Sequence, residues 1–327
     1  MKIVSCEHFF KLKYYKMKLS LRLLLLLPFI FIMVGCPVDD EPVTVEARPY
    51  AEVYAEDIAE IEDFMDTHFM TVDADFNVTY TEITGSTPGT PISSRPDLEF
   101  KTISKGGVDH KLYFIKLNEG VGSNPTVLDS VFSAYKGYKT DLTVFDSASN
   151  PVWFQLQQVI QGWQEIFPGF KTGNSVTDPA TGVTTYSDFG AGVMFVPSGL
   201  GYYNQAVGNI GSYTPLIFNF KLMKLKYKDH DGDKILSKDE YGGPTSGTPL
   251  DSDGDGKPDY GDFDDDNDGV LTKNEYKDKT VRLTSDPLTP VSIPTLNGYY
   301  IYTQLPDCNG NQFVLPNKPR HLNSSCQ

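Results

Sequence analysis

The chain has 327 residues, carries 28 Lys and Arg against 43 Asp and Glu for a formal charge of −15, and is 39% hydrophobic and 13% aromatic. That aromatic content excludes wholesale disorder, and the length suffices for one large or two modest domains. An acidic balance without a basic stripe argues against a nucleic-acid partner, because neutralising phosphates takes clustered Lys and Arg. The charge is also concentrated: residues 229–275 hold fifteen acids against four lysines.

Lys11, Lys13, Lys16, Lys18 and Arg22 precede an apolar run from Leu23 to Val34. The run is too short for a bilayer, which takes about 20 residues, and a basic flank before a short apolar stretch is the pattern of a secretory signal. Met17 begins a more typical signal than Met1. The run ends in Met33-Val34-Gly35-Cys36, which resembles a bacterial lipobox. Residues 1–36 therefore read as a lipoprotein signal, with Cys36 lipidated. The acids at 39–41 behind it resemble the surface-export signal of Bacteroidetes lipoproteins. The expected location is the cell envelope, anchored by lipid to the outer membrane and facing either periplasm or exterior. With Cys6 removed and Cys36 acylated, Cys308 and Cys326 remain, and an oxidising compartment predicts a disulfide between them.

Residues 37–50 read as a tether. From Glu52 to Phe69, Val53, Ile58, Ile61, Phe64, Met65 and His68/Phe69 recur at helical spacing with acids between them, predicting an amphipathic helix within an N-terminal extension over 51–106. Its role stays open between dimerisation or peptide binding and simple packing on a sheet. Residues 84–97 form a turn-rich loop. Strands are predicted at 112–117, 127–135, 152–156, 193–197 and 215–225, where Leu216, Phe218, Phe220 and Met223 fall on or near one face. One helix is predicted between them, from Gln158 to Phe167. A parallel sheet needs a crossover helix between most strands. The fold class is therefore α+β, an antiparallel sheet of five or six strands around one short helix.

The ordered set Phe145-Asp146-Ser147, Val159-Ile160-x-Gly162-Trp163, Pro197-Ser198-x-Leu200-x-Tyr202 and Pro215-Leu216-Ile217-Phe218, with Tyr135 before all of it, resembles the FKBP-type peptidyl-prolyl cis-trans isomerases. The likeness covers roughly residues 107–226, and the isomerase domain is placed at 107–227. It implies a proline pocket lined by Tyr135, Phe145, Asp146, Val159, Ile160, Trp163, Tyr202, Ile210 and Phe218. It further implies proline-containing polypeptide clients and no cofactor for catalysis. Trp163 would be the floor, the Ile160 N–H would hold one substrate carbonyl and the Tyr202 hydroxyl another. There are departures. Val152 stands where many relatives carry an aromatic, Tyr203 replaces a glycine, Ile210-Gly211-Ser212 lacks paired prolines, and 173–189 is an insertion. These leave open a non-catalytic module that binds peptide, or a spacer in a calcium-stiffened surface protein.

Residues 264–275 fit the calcium-loop pattern D-x-[DN]-x-[DN]-G-x5-E, which supplies a hard cation with the six to eight oxygens it needs. Asp264, Asp266 and Asp268 offer carboxylates, Val270 its carbonyl, Thr272 a water-mediated contact and Glu275 a bidentate carboxylate. Residues 229–240 repeat the spacing with Asp229, Asp231, Asp233, Ser237 and Glu240, but Lys234 stands where the turn glycine belongs. Residues 251–262 supply Asp251, Asp253, Asp255, Asp259 and Asp262, and Pro258 forbids an ordinary helix after them. The set resembles EF-hand loops and, more closely, thrombospondin type-3 repeats, implying structural calcium over 228–276. Residues 277–327 read as an irregular cap.

Overall fold

The computed structural model describes residues 46–241, 249–314 and 318–326; the leader and Cys36 lie outside them. Helix α1 (Tyr50–Thr67) forms two residues nearer the N-terminus than its apolar spacing predicts and buries Val53, Ile61, Phe64 and Met65. His68 and Phe69, which the spacing assigns to the helix, instead open strand β1 (His68–Val72), paired antiparallel with β2 (Val78–Glu82). Helical and strand periods cannot be told apart over so short a stretch.

The main sheet is built from β3 (Leu98–Lys105), β4 (Val108–Asn118), β5 (Ser130–Lys139) and β6 (Val144–Gln155). It continues, after helix α2 (Gln161–Ile166) and a hairpin of β7 (Asn174–Thr177) with β8 (Thr184–Ser187), with β9 (Gly190–Val196) and β10 (Leu216–Lys226). Its order is β3-β4-β9-β10-β5-β6, and every neighbouring pair is antiparallel. The expected antiparallel sheet with one short helix is therefore what forms. The β7–β8 hairpin is the insertion. Strand β3 comes from the segment assigned to the N-terminal extension, and as an edge strand it exposes most of LEFKTISK, so apolar alternation does not reveal it.

Both faces of the sheet are covered. Leu216, Phe218, Phe220 and Leu222 of β10 pack with Trp163, Ile166 and Phe167 from α2 and the turn after it. Plain two-residue alternation makes Leu222, and not Met223, the residue that completes this face, and the register shifts only after it, between Leu222 and Lys224. On the other face Ile217, Val193, Phe195, Ile115 and Tyr138 meet Ile61, Phe64 and Met65 of α1 and Met70, Val78 and Tyr80 of the β1–β2 hairpin. The helix thus takes the plainer of its two open roles and packs on the sheet. Strand β9 is buried throughout because it lies between these two layers, as strands covered on both faces are. Gly162 lets α2 approach β9: a Cβ there would stand 2.8 Å from Val196 Cγ1.

Beyond β10 regular structure shrinks to single helical turns, α3 (Ser237–Glu240) and α4 (Thr272–Glu275), and to short strands, among them β11 (Thr280–Leu283) and β12 (Asp286–Ser292). After Pro258 the chain makes only a tight turn, Asp259–Gly261. A separate apolar core of Ile235, Tyr276, Val281, Ile293, Leu305 and Phe313 joins the first and third acidic segments to the cap. Buried Asp129 links the sheet to this half by accepting from Thr126 N at 2.7 Å, the Thr126 hydroxyl at 2.9 Å and Lys228 N at 3.1 Å. Cys308 and Cys326 are joined, with Cα atoms 5.0 Å apart and a separation of 18 positions in sequence. Closing such a loop is worth about 3 kcal/mol in the chain-entropy account.

Candidate functional site

Helix α2 and strands β5, β6 and β10 bring the predicted pocket residues into one aromatic cluster. Its floor is buried: Trp163 is 3%, Phe218 4% and Ile210 5% exposed. Around it Tyr135, Phe145, Val159, Ile160 and Tyr202 are half-buried and pack against the floor. Trp163 meets Phe218 edge-on at 5.5 Å and Tyr135 at 5.4 Å, and Phe145 meets Phe218 at 5.4 Å. Phe167 stacks beneath the indole at 4.6 Å. Each edge-to-face pair adds about 0.5–1.5 kcal/mol beyond area burial and fixes ring orientation.

Phe154 belongs to this wall and is absent from the predicted set. It stands edge-on to Trp163 at 5.3 Å and to Tyr135 at 5.5 Å. Val152, read as a thinned wall, is 41% exposed. The signal for Phe154 was present in the alternation of VWFQL, one step beyond Val152.

The polar groups are few. Exposed Asp146 accepts from the Tyr135 hydroxyl and from Ser147 N at 2.8 Å. Burial first, and then the Asp146 carboxylate, push the Tyr135 and Tyr202 hydroxyls above the ordinary phenol range, so both keep their protons. Neither the Ile160 N–H, at the start of α2, nor the Tyr202 hydroxyl has a hydrogen-bond partner among the described residues. Two donors therefore remain free beside an apolar floor, where a bound amide can use them.

The segment carrying Tyr202 and Ile210 is held from outside the sheet. Asp57 of α1 is buried and accepts from Ser198 N and Ser198 Oγ, both at 2.7 Å. Burial raises its carboxyl to about 6 despite those bonds, with Glu60 and Glu56 adding to the rise. Tyr203 has φ 53°, a left-handed backbone that a glycine adopts without strain. Its ring stacks on Tyr50 at 4.0 Å and meets Tyr213 edge-on at 5.3 Å, and its hydroxyl donates to Arg48 O. The ring contacts offset the roughly 1–2 kcal/mol that this conformation costs. They also explain why a tyrosine can stand where a glycine is expected.

The acidic segments form three loops of one design. The first carboxylate of each accepts from two backbone N–H groups: Asp229 from Gly232 and Lys234, Asp251 from Gly254 and Gly256, Asp264 from Asp268 and Gly269. The structure brings together Asp229, Asp231 and Asp233; Asp251, Asp253 and Asp255; and Asp264, Asp266 and Asp268, with oxygens of each trio within 4.8 Å of one another. Other predicted ligands are used differently. Asp259 accepts from Ser252 N at 2.7 Å and Ser252 Oγ at 2.8 Å, and the Thr272 hydroxyl donates to Asp265 at 2.9 Å. These two close the loops internally. Asp262 accepts from Asp264 N at 3.0 Å and pairs with Lys257 at 3.3 Å. Val270 is exposed at 43%.

Glu275 and Glu240 are 2% and 1% exposed, and neither carboxylate has a hydrogen-bond partner among the described residues. Arg320 Nε lies 3.4 Å from Glu275. Burial, then the neighbouring Asp266, push Glu275 up to about 8, and burial with Asp233 and Asp231 pushes Glu240 up further. Buried carboxylates left this way need a proton or a cation. An all-oxygen donor set fits calcium and does not fit zinc.

Residues 122–223 match the family model described as FKBP-type peptidyl-prolyl cis-trans isomerase. Over 111 residues the chain is 36% identical to the probable FKBP-type peptidyl-prolyl cis-trans isomerase FkpA of Neisseria meningitidis serogroup B, covering 33% of this chain and 35% of that protein. It is 33% identical over 132 residues to peptidyl-prolyl cis-trans isomerase Mip of Coxiella burnetii, covering 39% and 48%. It is 32% identical over 124 residues to outer membrane protein MIP of Legionella longbeachae, covering 37% and 45%. The chain thus spans less than half the length of each of these relatives. The crystal structure of a peptidyl-prolyl cis-trans isomerase from Pseudomonas syringae aligns with 55% of this chain and 98% of its own, at 19% identity and a TM-score of 0.35. That score adds nothing to the sheet topology above. The family match falls on the strands and helix that carry the aromatic cluster, and residues 122–223 are an FKBP-type peptidyl-prolyl isomerase domain.

Proposed function

We propose that the protein accelerates X-Pro isomerisation in exported polypeptides. An X-Pro bond turns slowly because its partial double bond resists twisting, with a barrier of about 18–20 kcal/mol. No group is transferred, so catalysis consists of holding the twisted amide better than either planar form. The proline ring seats on Trp163 within the half-buried rim. The Ile160 N–H and the Tyr202 hydroxyl take carbonyls that flank the twisting bond. The observation that carries this reading is the pair of unused donors beside a buried indole. A proline-limited refolding assay tests it. The protein shortens the slow phase, and Tyr202→Phe and Phe145→Ala each lower kcat/KM several-fold without unfolding the domain. A folded protein that accelerates no X-Pro substrate overturns the enzyme reading and leaves a peptide-binding module.

The acidic loops support a second element, structural calcium that stiffens the C-terminal half. Buried carboxylate oxygens without hydrogen-bond partners support it. Isothermal titration of chelator-treated protein tests it, and an absence of heat at millimolar calcium refutes it. Lipidation of Cys36, with the domains in water at an envelope membrane, completes the proposal. No described helix is long and apolar enough to cross a membrane. Incorporation of labelled fatty acid, lost in Cys36→Ala, checks the anchor.

A further inference from the structure

Asp265 lies in the third acidic loop, at its second position, which the calcium-loop pattern does not count as a ligand. It is 2% exposed. One carboxylate oxygen accepts from the Thr272 hydroxyl at 2.9 Å; the other, Oδ1, has no hydrogen-bond partner among the described residues. Its own loop already presents the trio Asp264, Asp266 and Asp268. Asp265 groups instead with two residues of the first loop: oxygens of Asp231, Glu240 and Asp265 lie within 4.8 Å of one another.

We propose that Asp265 is a ligand of the first loop's cation, so that one calcium ion ties the first and third loops together. The proposal rests on the calcium reading above for the identity of the ion. Four buried or half-buried carboxylates converge here with unpartnered oxygens: Asp231 Oδ2, Asp233 Oδ2, both oxygens of Glu240 and Asp265 Oδ1. Glu240 is 1% and Asp233 2% exposed. Among the described residues, no Lys or Arg is within ion-pair distance of Asp229, Asp231, Asp233, Glu240 or Asp265. Charges so placed repel one another unless protons or a cation neutralise them, and a cation between them would engage all of the unpartnered oxygens at once. Every donor is a hard oxygen, and a site assembled from two loops suits the large, geometrically tolerant calcium ion better than magnesium.

A comparison of the three loops sharpens the case. Each uses its ninth residue to bond its second: Ser237 with His230, Asp259 with Ser252, Thr272 with Asp265. Only Asp265 among the three second residues is a carboxylate, and it groups with carboxylates of another loop, whereas His230 meets the second loop only through the ring of Tyr260. The first loop joins directly to β10 and the third to the cap, so the shared ion would clamp the cap side to the isomerase side.

The test uses the full chain and calcium alone, followed by calorimetric titration. Asp265→Asn weakens one site at least tenfold. Added to Glu240→Gln it weakens that site less than twofold further, because both residues serve one ion. Asp264→Asn, which disables the third loop's own trio, multiplies in full with Glu240→Gln. The proposal fails if Asp265→Asn changes every affinity less than twofold, or if its loss multiplies in full with that of Glu240→Gln. Wild-type protein that binds no calcium overturns this proposal and the calcium reading together. Wild type that binds calcium beside an inert Asp265→Asn overturns this proposal alone. Should the variant not fold, lanthanide-soaked wild-type crystals decide. An anomalous peak touching Asp231, Glu240 and Asp265 supports the shared site, and one touching Asp231 and Glu240 without Asp265 overturns it.

Discussion

The isomerase half and the acidic half bury very different side chains. Around α2 the buried residues are Trp163, Ile166, Phe167, Phe170, Phe218 and Phe220, which need nothing beyond one another. In the acidic half the buried residues include Asp233, Glu240, Asp259, Asp265, Asp266 and Glu275, beside the small core of Ile235 and Tyr276. Apolar burial compensates for chain entropy at about 25 cal/mol per Å², whereas burying carboxylates costs free energy until something neutralises them. The core of the first half needs no neutralising partner. On the calcium proposal, the second is complete only with its ions.

Calcium removal is the largest test of that contrast. A site held at a hundred times its Kd stabilises by about 2.7 kcal/mol, and several sites together exceed the stability of a small core. Calorimetry in chelator shows the acidic half melting early, by ten degrees or more, while the isomerase half keeps its transition. One unchanged transition would remove the distinction between the halves. Trp163→Ala is the converse. It costs about 3–5 kcal/mol in the isomerase half, abolishes rate enhancement and leaves the calcium stoichiometry as it was.

Acid separates the halves by sign. His321, fully buried against Tyr276 in the cap, is held neutral by burial, with its pKa lowered to about 3. Its contribution is complete above the unfolded value near 6.5 and is lost as pH falls toward 3, at about 1.4 kcal/mol per unit. Asp57, with its carboxyl raised to about 6, does the opposite. Its contribution is complete below the unfolded value near 3.8 and is lost as pH rises through 6, about 3 kcal/mol in all. Melts from pH 7 to 4 therefore lose a His321 component, which His321→Phe flattens. They gain an Asp57 component, which Asp57→Asn flattens. The same slope in both variants as in the parent protein would refute the assignment.

What could be read in advance follows the range of each interaction. The strands and most of the pocket were legible because Val159 to Trp163 and Leu216 to Phe218 are short, ordered signals. The three carboxylate trios were legible because their oxygens are two residues apart. Strand β3 was hidden by its charged edge, and Phe154 lies on a largely exposed strand, two residues from the exposed Val152. Asp265 was hidden because its neighbours, Asp231 and Glu240, are remote in sequence, and no local spacing encodes them. The same holds for Asp57, whose partner Ser198 lies 141 residues away. Tyr203 departs from the family pattern, and no local spacing encodes the stacking of Tyr50 on it.

The smallest effect isolates a single backbone angle. The sixth residues of the three loops, Lys234, Gly256 and Gly269, have φ of 79°, 93° and 89°. Only the first has a Cβ to strain in that region, at about 1–2 kcal/mol. Lys234→Gly removes the strain but frees more of the unfolded chain and gives up the contact of Lys234 Nζ with the Tyr300 ring at 6.0 Å. The Tyr300 N–H still reaches Lys234 O at 2.8 Å. The net gain is about 0.5–1 kcal/mol, read as a higher melting temperature of the acidic half in saturating calcium. Gly269→Lys in the third loop lowers that transition by at least as much. If both substitutions leave the transition in place, the turn angle is not what limits these loops.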